Sequence, residues 1–195
     1  AMIVTALIYQ PADRLTRSLS QYLRSLELLA NATDHLVLFL DHSIEAPPLP
    51  SHVEVRRICI HDLKIAQRIS PHADLVELPG QRNLDKDTID YLILVNAKTE
   101  LLEQALLAHP DVKRAAWVDC GIAHILKDPL LALKQLDRLM HLPDGLTMPG
   151  ILTKPLWPGD GVCWRFCGGV VAGDRLSLLR LHDLHRQAID ALWPK

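Results

Sequence analysis

The sequence has no surplus of charge of either sign: 21 Lys and Arg stand against 23 Asp and Glu, a formal net charge of −2. A chain without a whole-molecule field is poorly suited to holding a polyanion or docking electrostatically on a membrane, which leaves only local patches for such work. Long apolar runs are also missing. The longest, Leu36 to Leu40 and Tyr91 to Val95, fall far short of the ~20 residues that cross a bilayer. The opening Ala1-Met2-Ile3-Val4-Thr5 puts no basic region before an apolar stretch, so neither a membrane span nor a secretory signal is expected.

Cysteine is scarce. The four thiols, Cys59, Cys120, Cys163 and Cys167, are too few and too scattered for a disulfide framework, which points to a reducing cytoplasm. Cys163 and Cys167 lie in a strand-like run, where four residues of extended chain separate two sulfurs by about 13 Å, too far for one metal ion. They read as buried or half-buried thiols. Also absent are the glycine-rich dinucleotide fingerprint, the P-loop lysine and, among ten histidines, any His-Glu-x-x-His motif. His182 and His185 in the last helix read as surface residues. What is present is 49% apolar and 23% charged residues over 195 positions, the composition of one soluble globular domain. A domain of this size buries roughly 70% of its unfolded surface and needs no staple.

The order of elements points to an α/β fold. Ile3 to Tyr9 is a short apolar run ending at Gln10-Pro11, a buried strand by length and flanks. Leu15 to Ala30 carries Leu15, Leu19, Tyr22, Leu23, Leu26, Leu29 and Ala30 on one helical face, and His35 to Leu40 is a second strand closed by Asp41. Strand, helix, strand within this span is a βαβ unit and predicts a mostly parallel sheet flanked by helices. The prolines of Glu45-Ala46-Pro47-Pro48-Leu49-Pro50 lack amide donors and make a loop. Val53 to Ile60 is a third strand whose Arg56 and Arg57 suggest a sheet edge, followed by a short helix about Lys64 to Ile69. Asp85 to Ala108 is the strongest helical pattern. After it come a strand Ala115 to Asp119, a helix Pro129 to Leu142, strands Leu146 to Met148 and Val162 to Ala172, and a terminal helix Arg175 to Leu192. No repeat or linker divides the chain, so residues 1–195 read as a single domain.

In an open α/β sheet, ligands bind in the crevice at the carboxyl ends of the strands. Asp119 ends the strand Ala115-Ala116-Trp117-Val118 and is followed by Cys120-Gly121, so it reads either as a crevice ligand or as a strand-end cap of the next turn. Arg82-Asn83-Leu84-Asp85-Lys86-Asp87-Thr88 opens the long helix. It reads either as an anion site where Arg82 and Lys86 clasp a diphosphate, or as an ordinary N-cap with acids in its first turn. Gly168-Gly169 interrupts a hydrophobic strand, which marks a bulge, the close approach of a sugar ring, or tight packing of a helix.

Taken in order and spacing, Arg82-Asn83 with Lys86-Asp87-Thr88, Asn96-Ala97-Lys98, Trp117-Val118-Asp119-Cys120-Gly121-Ile122, and Trp164-Arg165-Phe166-Cys167-Gly168-Gly169 with Gly173-Asp174 resemble the WlaTC/HtrL (YibB-like) family of bacterial glycosyltransferases. The resemblance spans nearly the whole chain. It implies a GT-A-like nucleotide-sugar-binding fold. It also implies transfer of a sugar from a nucleotide diphosphate donor to a saccharide acceptor in surface-glycan assembly, in the cytoplasm or at the periphery of the inner membrane. Arg82, Asn83, Lys86, Asp87, Lys98 and Asp119 would then bind the donor and its nucleotide. Gly168 and Gly169 would make room for the sugar. Related enzymes place an Asp-x-Asp after a strand to hold Mn²⁺ or Mg²⁺, and Asp119 matches the first acid while Gly121 stands at the second. They also continue past the last helix, where this sequence ends at Trp193-Pro194-Lys195. A non-catalytic nucleotide-sugar or glycan-binding module is the alternative reading, and the catalytic residue is not identified by the pattern.

Overall fold

Side chains of the first strand alternate between two apolar layers, which fixes its place inside a covered sheet. In the computed structural model, which describes residues 2–8, 18–75, 88–150 and 168–193, β1 (Met2–Leu7) sends Met2 and Val4 into one core and Ile3 and Leu7 into the other. Among the described residues, six strands form one sheet in the order β3-β2-β1-β4-β6-β5. The strands β2 (Leu36–Asp41), β1, β3 (Val53–Ile58) and β4 (Arg114–Val118) run parallel. Register is set by pairs such as Val4 with Val37, Val4 with Trp117, and Val37 with Glu54. At the other end β6 (Val170–Asp174) pairs antiparallel with β4, and the two-residue β5 (Leu146–Thr147) pairs antiparallel with β6. The sheet is therefore mixed, with its parallel part first in sequence, and β3 with its Arg56 and Arg57 is an edge strand as expected.

Helices cover both faces. The helix α1 (Leu19–Asn31) buries Leu26, Leu29 and Ala30 on the face that carries Ile3, Leu38, Ala116 and Val118. It starts at a capping box: the Gln21 amide donates to Ser18 Oγ at 3.4 Å, and the Ser18 amide donates to Gln21 Oε1 at 2.9 Å. The other face carries α2 (Lys64–Ile69), α3 (Ile89–Ala108) and α5 (Arg175–Leu192), packed on Val37, Phe39, Ala115 and Trp117. The C-terminal carbonyls of α3 are taken up by Arg175, whose guanidinium donates to Leu106 O at 2.8 Å and His109 O at 3.1 Å. Asp174 caps α5, accepting from the Ser177 amide at 2.9 Å, Ser177 Oγ at 2.7 Å and the Gly145 amide at 2.6 Å. These hydrogen bonds hold its carboxyl down at about 2.

Several boundaries differ from the pattern-based ones. The expected helix Pro129 to Leu142 stops early: α4 (Pro129–Lys134) gives way to a 3-10 stretch Leu136–His141. Only Leu133 of α4 is fully buried, while Leu130 and Leu131 are exposed, and Leu136 and Leu139 pack on the same core from the 3-10 stretch. The described part of α3 begins at Ile89 with Thr88 as its N-cap, the Tyr91 amide donating to Thr88 Oγ1 at 3.2 Å. The expected strand Val162 to Ala172 is described only from residue 168, where Gly168 and Gly169 form a turn directly before β6, and its earlier part lies outside the described residues. Tyr9, Leu15, Asp85 and the Cys163 and Cys167 pair lie outside the described residues.

Candidate functional site

The chain leaves β1 toward β2 on one side and returns to β4 on the other, so the β1–β4 boundary is the point where strand order reverses. In such a sheet the strand ends diverge there and open a crevice at their carboxyl edge. Asp119 is the first residue past β4 at that edge. Strand alternation puts Ala115 and Trp117 on the α3 face, and Asp119 continues the series: Trp117 Nε1–H donates to Asp119 Oδ1 at 2.6 Å. From α3, Lys98 reaches the same oxygen, with Nζ 2.8 Å from Asp119 Oδ1. It also donates to Gly168 O at 2.8 Å and lies 5.8 Å from the centre of the Trp117 ring. The Asp119 amide donates to Gly169 O at 2.8 Å, tying the glycine turn to the end of β4.

Four sequence-selected residues, Lys98, Asp119, Gly168 and Gly169, thus meet in one place. Arg82, Asn83, Lys86 and Asp87 lie outside the described residues. The Asp119 side chain is 39% exposed and Lys98 19%. With two donors on Oδ1, Oδ2 has no partner among the described residues. Gly168 is exposed, and a Cβ built on it would meet nothing within 4 Å among the described residues. The arrangement offers a ligand one carboxylate oxygen without a partner among the described residues, one ammonium and an exposed backbone turn.

The donor set suits a hydroxyl better than a divalent cation. Mg²⁺ and Mn²⁺ want several oxygens, whereas here one carboxylate already carries an ammonium at 2.8 Å, and no second carboxylate joins Asp119 in a metal-sized cluster among the described residues. The place of a second acid is held by Gly121 for a steric reason. A Cβ there would lie 2.9 Å from Tyr22 Cε1, so the ring of α1 fills the volume a side chain would need. The residues present therefore do not fit an Asp-x-Asp metal site.

Cys120, next to Asp119, is structural. Burial and then the Asp119 charge push its thiol up to about 12, and its carbonyl accepts from Ser25 Oγ at 2.5 Å. It is buried and carries no nucleophilic thiolate at neutral pH.

Two polar clusters were not legible in the sequence. The first lies between α2, α3 and α5, where a cavity of about 200 Å³ is lined by Lys64, Arg68, Asn96, Glu100, His185 and Ile189 among others. The expectation that His182 and His185 are surface residues is overturned: His182 is only 8% exposed and His185 is half-buried. Both belong to the face of α5 that packs on α3, and both ring Nδ1 atoms lie 3.1 Å from Thr99 Oγ1. Burial, then the neighbouring His182, lowers His185 from its ordinary value. Glu100 is buried but satisfied, accepting from the Lys64 and Ile65 amides at 2.9 and 3.1 Å, and so caps α2. The second cluster, at the opposite edge of the sheet from Asp119, gathers His35, Glu54 and His109. No spacing links residues from three segments. The one hint in the sequence is Glu54 alternating with Arg56 on an edge strand.

No family model matches the chain, and no curated protein matches it.

Proposed function

We propose that this chain is a GT-A-like domain that binds a nucleotide sugar and transfers the sugar to a saccharide acceptor, as the WlaTC/HtrL resemblance implies. The observation that carries the reading is the convergence of Lys98 and Asp119 with the Gly168-Gly169 turn at the carboxyl edge, beside the reversal of strand order. As a sugar leaves its diphosphate, negative charge gathers on the phosphate oxygens, and a cation held against them lowers the barrier. Lys98 supplies that cation by swinging from Asp119 to the diphosphate, while Oδ2 of Asp119 accepts from a ribose or sugar hydroxyl. Arg82 and Lys86 add cations on the strength of the resemblance, and no step runs through a metal ion. The cytoplasm, or the inner membrane's periphery, is where such donors are consumed in surface-glycan assembly.

One observation favours the second reading, a non-catalytic nucleotide-sugar or glycan-binding module. Asp119 is already balanced by Lys98 and stands without a second acid. The two readings part in one experiment. UDP, UDP-glucose and UDP-galactose are titrated with and without Mn²⁺, with binding followed by tryptophan fluorescence and donor turnover by released UDP. Trp117 is a local reporter because it hydrogen-bonds Asp119 directly. Binding with slow donor hydrolysis supports the transferase, and binding without hydrolysis supports the module. Asp119→Asn is expected to weaken binding by about 1.5 to 3 kcal/mol, the worth of a charged hydrogen bond, equally with Mn²⁺ and with chelator. No binding of any nucleotide by the wild type removes both readings.

A further inference from the structure

We propose that His35, Glu54 and His109 form a binding site for one transition-metal dication of the Zn²⁺ type at the amino edge of the sheet, remote from Asp119. The three come from separate segments. His35 directly precedes β2, Glu54 is the second residue of β3, and His109 is the C-cap of α3. The parallel pairing of β2 with β3 places Glu54 opposite Val37, two residues from His35, so the sheet itself brings two of the ligands together. One ligand atom from each residue lies within 4.8 Å of the other two.

The closest pair is His109 Nε2 and Glu54 Oε2, 2.8 Å apart. Ligands around a metal with bonds of about 2.0 to 2.2 Å stand roughly 3 to 4 Å from one another, so small rotations of half-buried side chains close the site. Two imidazole nitrogens and one carboxylate oxygen suit Zn²⁺ or Co²⁺ and are too poor in oxygen for Mg²⁺ or Ca²⁺. The set leaves a coordination position for water, as open zinc sites do. His109 also stands at the negative end of the long α3 dipole, which favours a cation there. His52, although near in sequence, is engaged elsewhere, its Nε2 lying 2.8 Å from Ala30 O.

Arg56 is the competing cation. Its Nε donates to Glu54 Oε1 at 2.5 Å, and one of its terminal nitrogens is 3.4 Å from His109 Nε2. The same guanidinium lies 5.8 Å from the Phe39 ring centre and reaches Gln104 O at 3.4 Å, a second position into which it can retreat. The metal takes the position on His109 Nε2 that faces Glu54 Oε2, and the neutral ring carries its one proton on Nδ1. Arg56 therefore sets the affinity: removing it relieves charge repulsion and leaves all three ligands in place.

The test uses the untagged full chain, titrated with Zn²⁺ by calorimetry and with Co²⁺ by its visible absorption. The expected result is one equivalent bound, with binding unaffected by excess Mg²⁺. His35→Gln and His109→Gln should each weaken binding at least tenfold, and Arg56→Gln should tighten it about tenfold. Metal-free melting curves of all variants show whether each is folded. Two different histidine variants keep the test decisive if one of them melts early. The proposal is overturned if neither the wild type nor Arg56→Gln binds a stoichiometric ion, which would make the cluster an ion pair only. It is equally overturned if binding survives both histidine substitutions. Nucleotide binding at Asp119 is read separately and has no bearing on either outcome.

Discussion

Lys98 and Asp119 should be energetically coupled, and the size of the coupling follows from their geometry. At 2.8 Å, two unit charges attract by about 6 kcal/mol at an effective dielectric of 20 and by about 1.5 kcal/mol in water. Exposures of 19% and 39% put the pair nearer the aqueous limit, and the cost of ordering the lysine offsets part of the gain. The net coupling expected is therefore about 1 to 1.5 kcal/mol. Lys98→Met, Asp119→Asn and the double variant close a mutant cycle in urea unfolding, with changes in midpoint converted to free energy at constant slope. Lys98→Met alone should lower Tm by about 2 to 6 °C for a chain of this size, since it strips Asp119 of its charge partner and Gly168 O of its donor. Saturating UDP should shrink the coupling, because the ammonium then has a second anion to serve. A coupling under about 0.3 kcal/mol without ligand would mean that the two groups do not meet in solution, and the proposed donor site would lose its centre.

How much of this was legible in the sequence depends on the range of the signal. The strands β1, β2 and β4 were marked by short apolar runs with turn residues at their ends. The helices Lys64–Ile69 and Arg175–Leu192 were found with their observed bounds. Arg56 and Arg57 in Val53–Ile58, one half-buried and one exposed, correctly indicated an edge. Local rules failed where tertiary packing decides. The Pro129 helix gives way to a 3-10 stretch after Lys134 although Leu136 and Leu139 still pack on the core, and the antiparallel return of β6 leaves no mark in its own composition. Gly168 and Gly169 stand out in the sequence, and the structure shows them as the turn directly before β6.

At the candidate site, the position just past the end of β4 was enough to single out Asp119, because a carboxylate at a strand's end is visible in one dimension. Its partner Lys98 entered through the family resemblance, and the structure supplies the physical reason: one helix reaching over one strand. The His35, Glu54 and His109 cluster and the His182, Thr99 and His185 contacts had no such route. Each joins segments whose meeting depends on strand order or on helix packing. A histidine in an amphipathic helix gives no sign of whether it faces solvent or a second helix bearing a hydroxyl.

Two further outcomes are expected. Thr5 is fully buried on β1 and its Oγ1 has no hydrogen-bond partner among the described residues, so Thr5→Val, which keeps the shape and removes the stranded hydroxyl, should stabilise the fold by about 1 kcal/mol. That corresponds to a rise in Tm of about 2 to 4 °C, and a fall on calorimetry would show that the hydroxyl is satisfied in solution. The second outcome concerns pH and rests on the orientation of Asn96. Its Nδ2 donates to Leu92 O at 2.8 Å, so Oδ1 faces His185 Nε2 at 3.0 Å and that nitrogen must carry a proton. In the neutral ring Nδ1 is then bare and accepts from Thr99 Oγ1. Protonating Nδ1 would put a charge in a half-buried place beside His182 and require the Thr99 hydroxyl to turn its hydrogen away. Burial and that neighbour both lower the folded pKa. The unfolded chain therefore binds the extra proton first as pH falls through about 6.5, and stability must drop with acidification below that point. His35, lowered mainly by burial and by His109, acts in the same direction. His185→Gln can donate to Asn96 and accept from Thr99 as the neutral ring does, but it cannot take up a proton. It should keep the stability at pH 8 and flatten part of the loss between pH 7 and pH 5 in thermal melts. An acid limb as steep as the wild type's would mean that His185 is not held neutral by this packing.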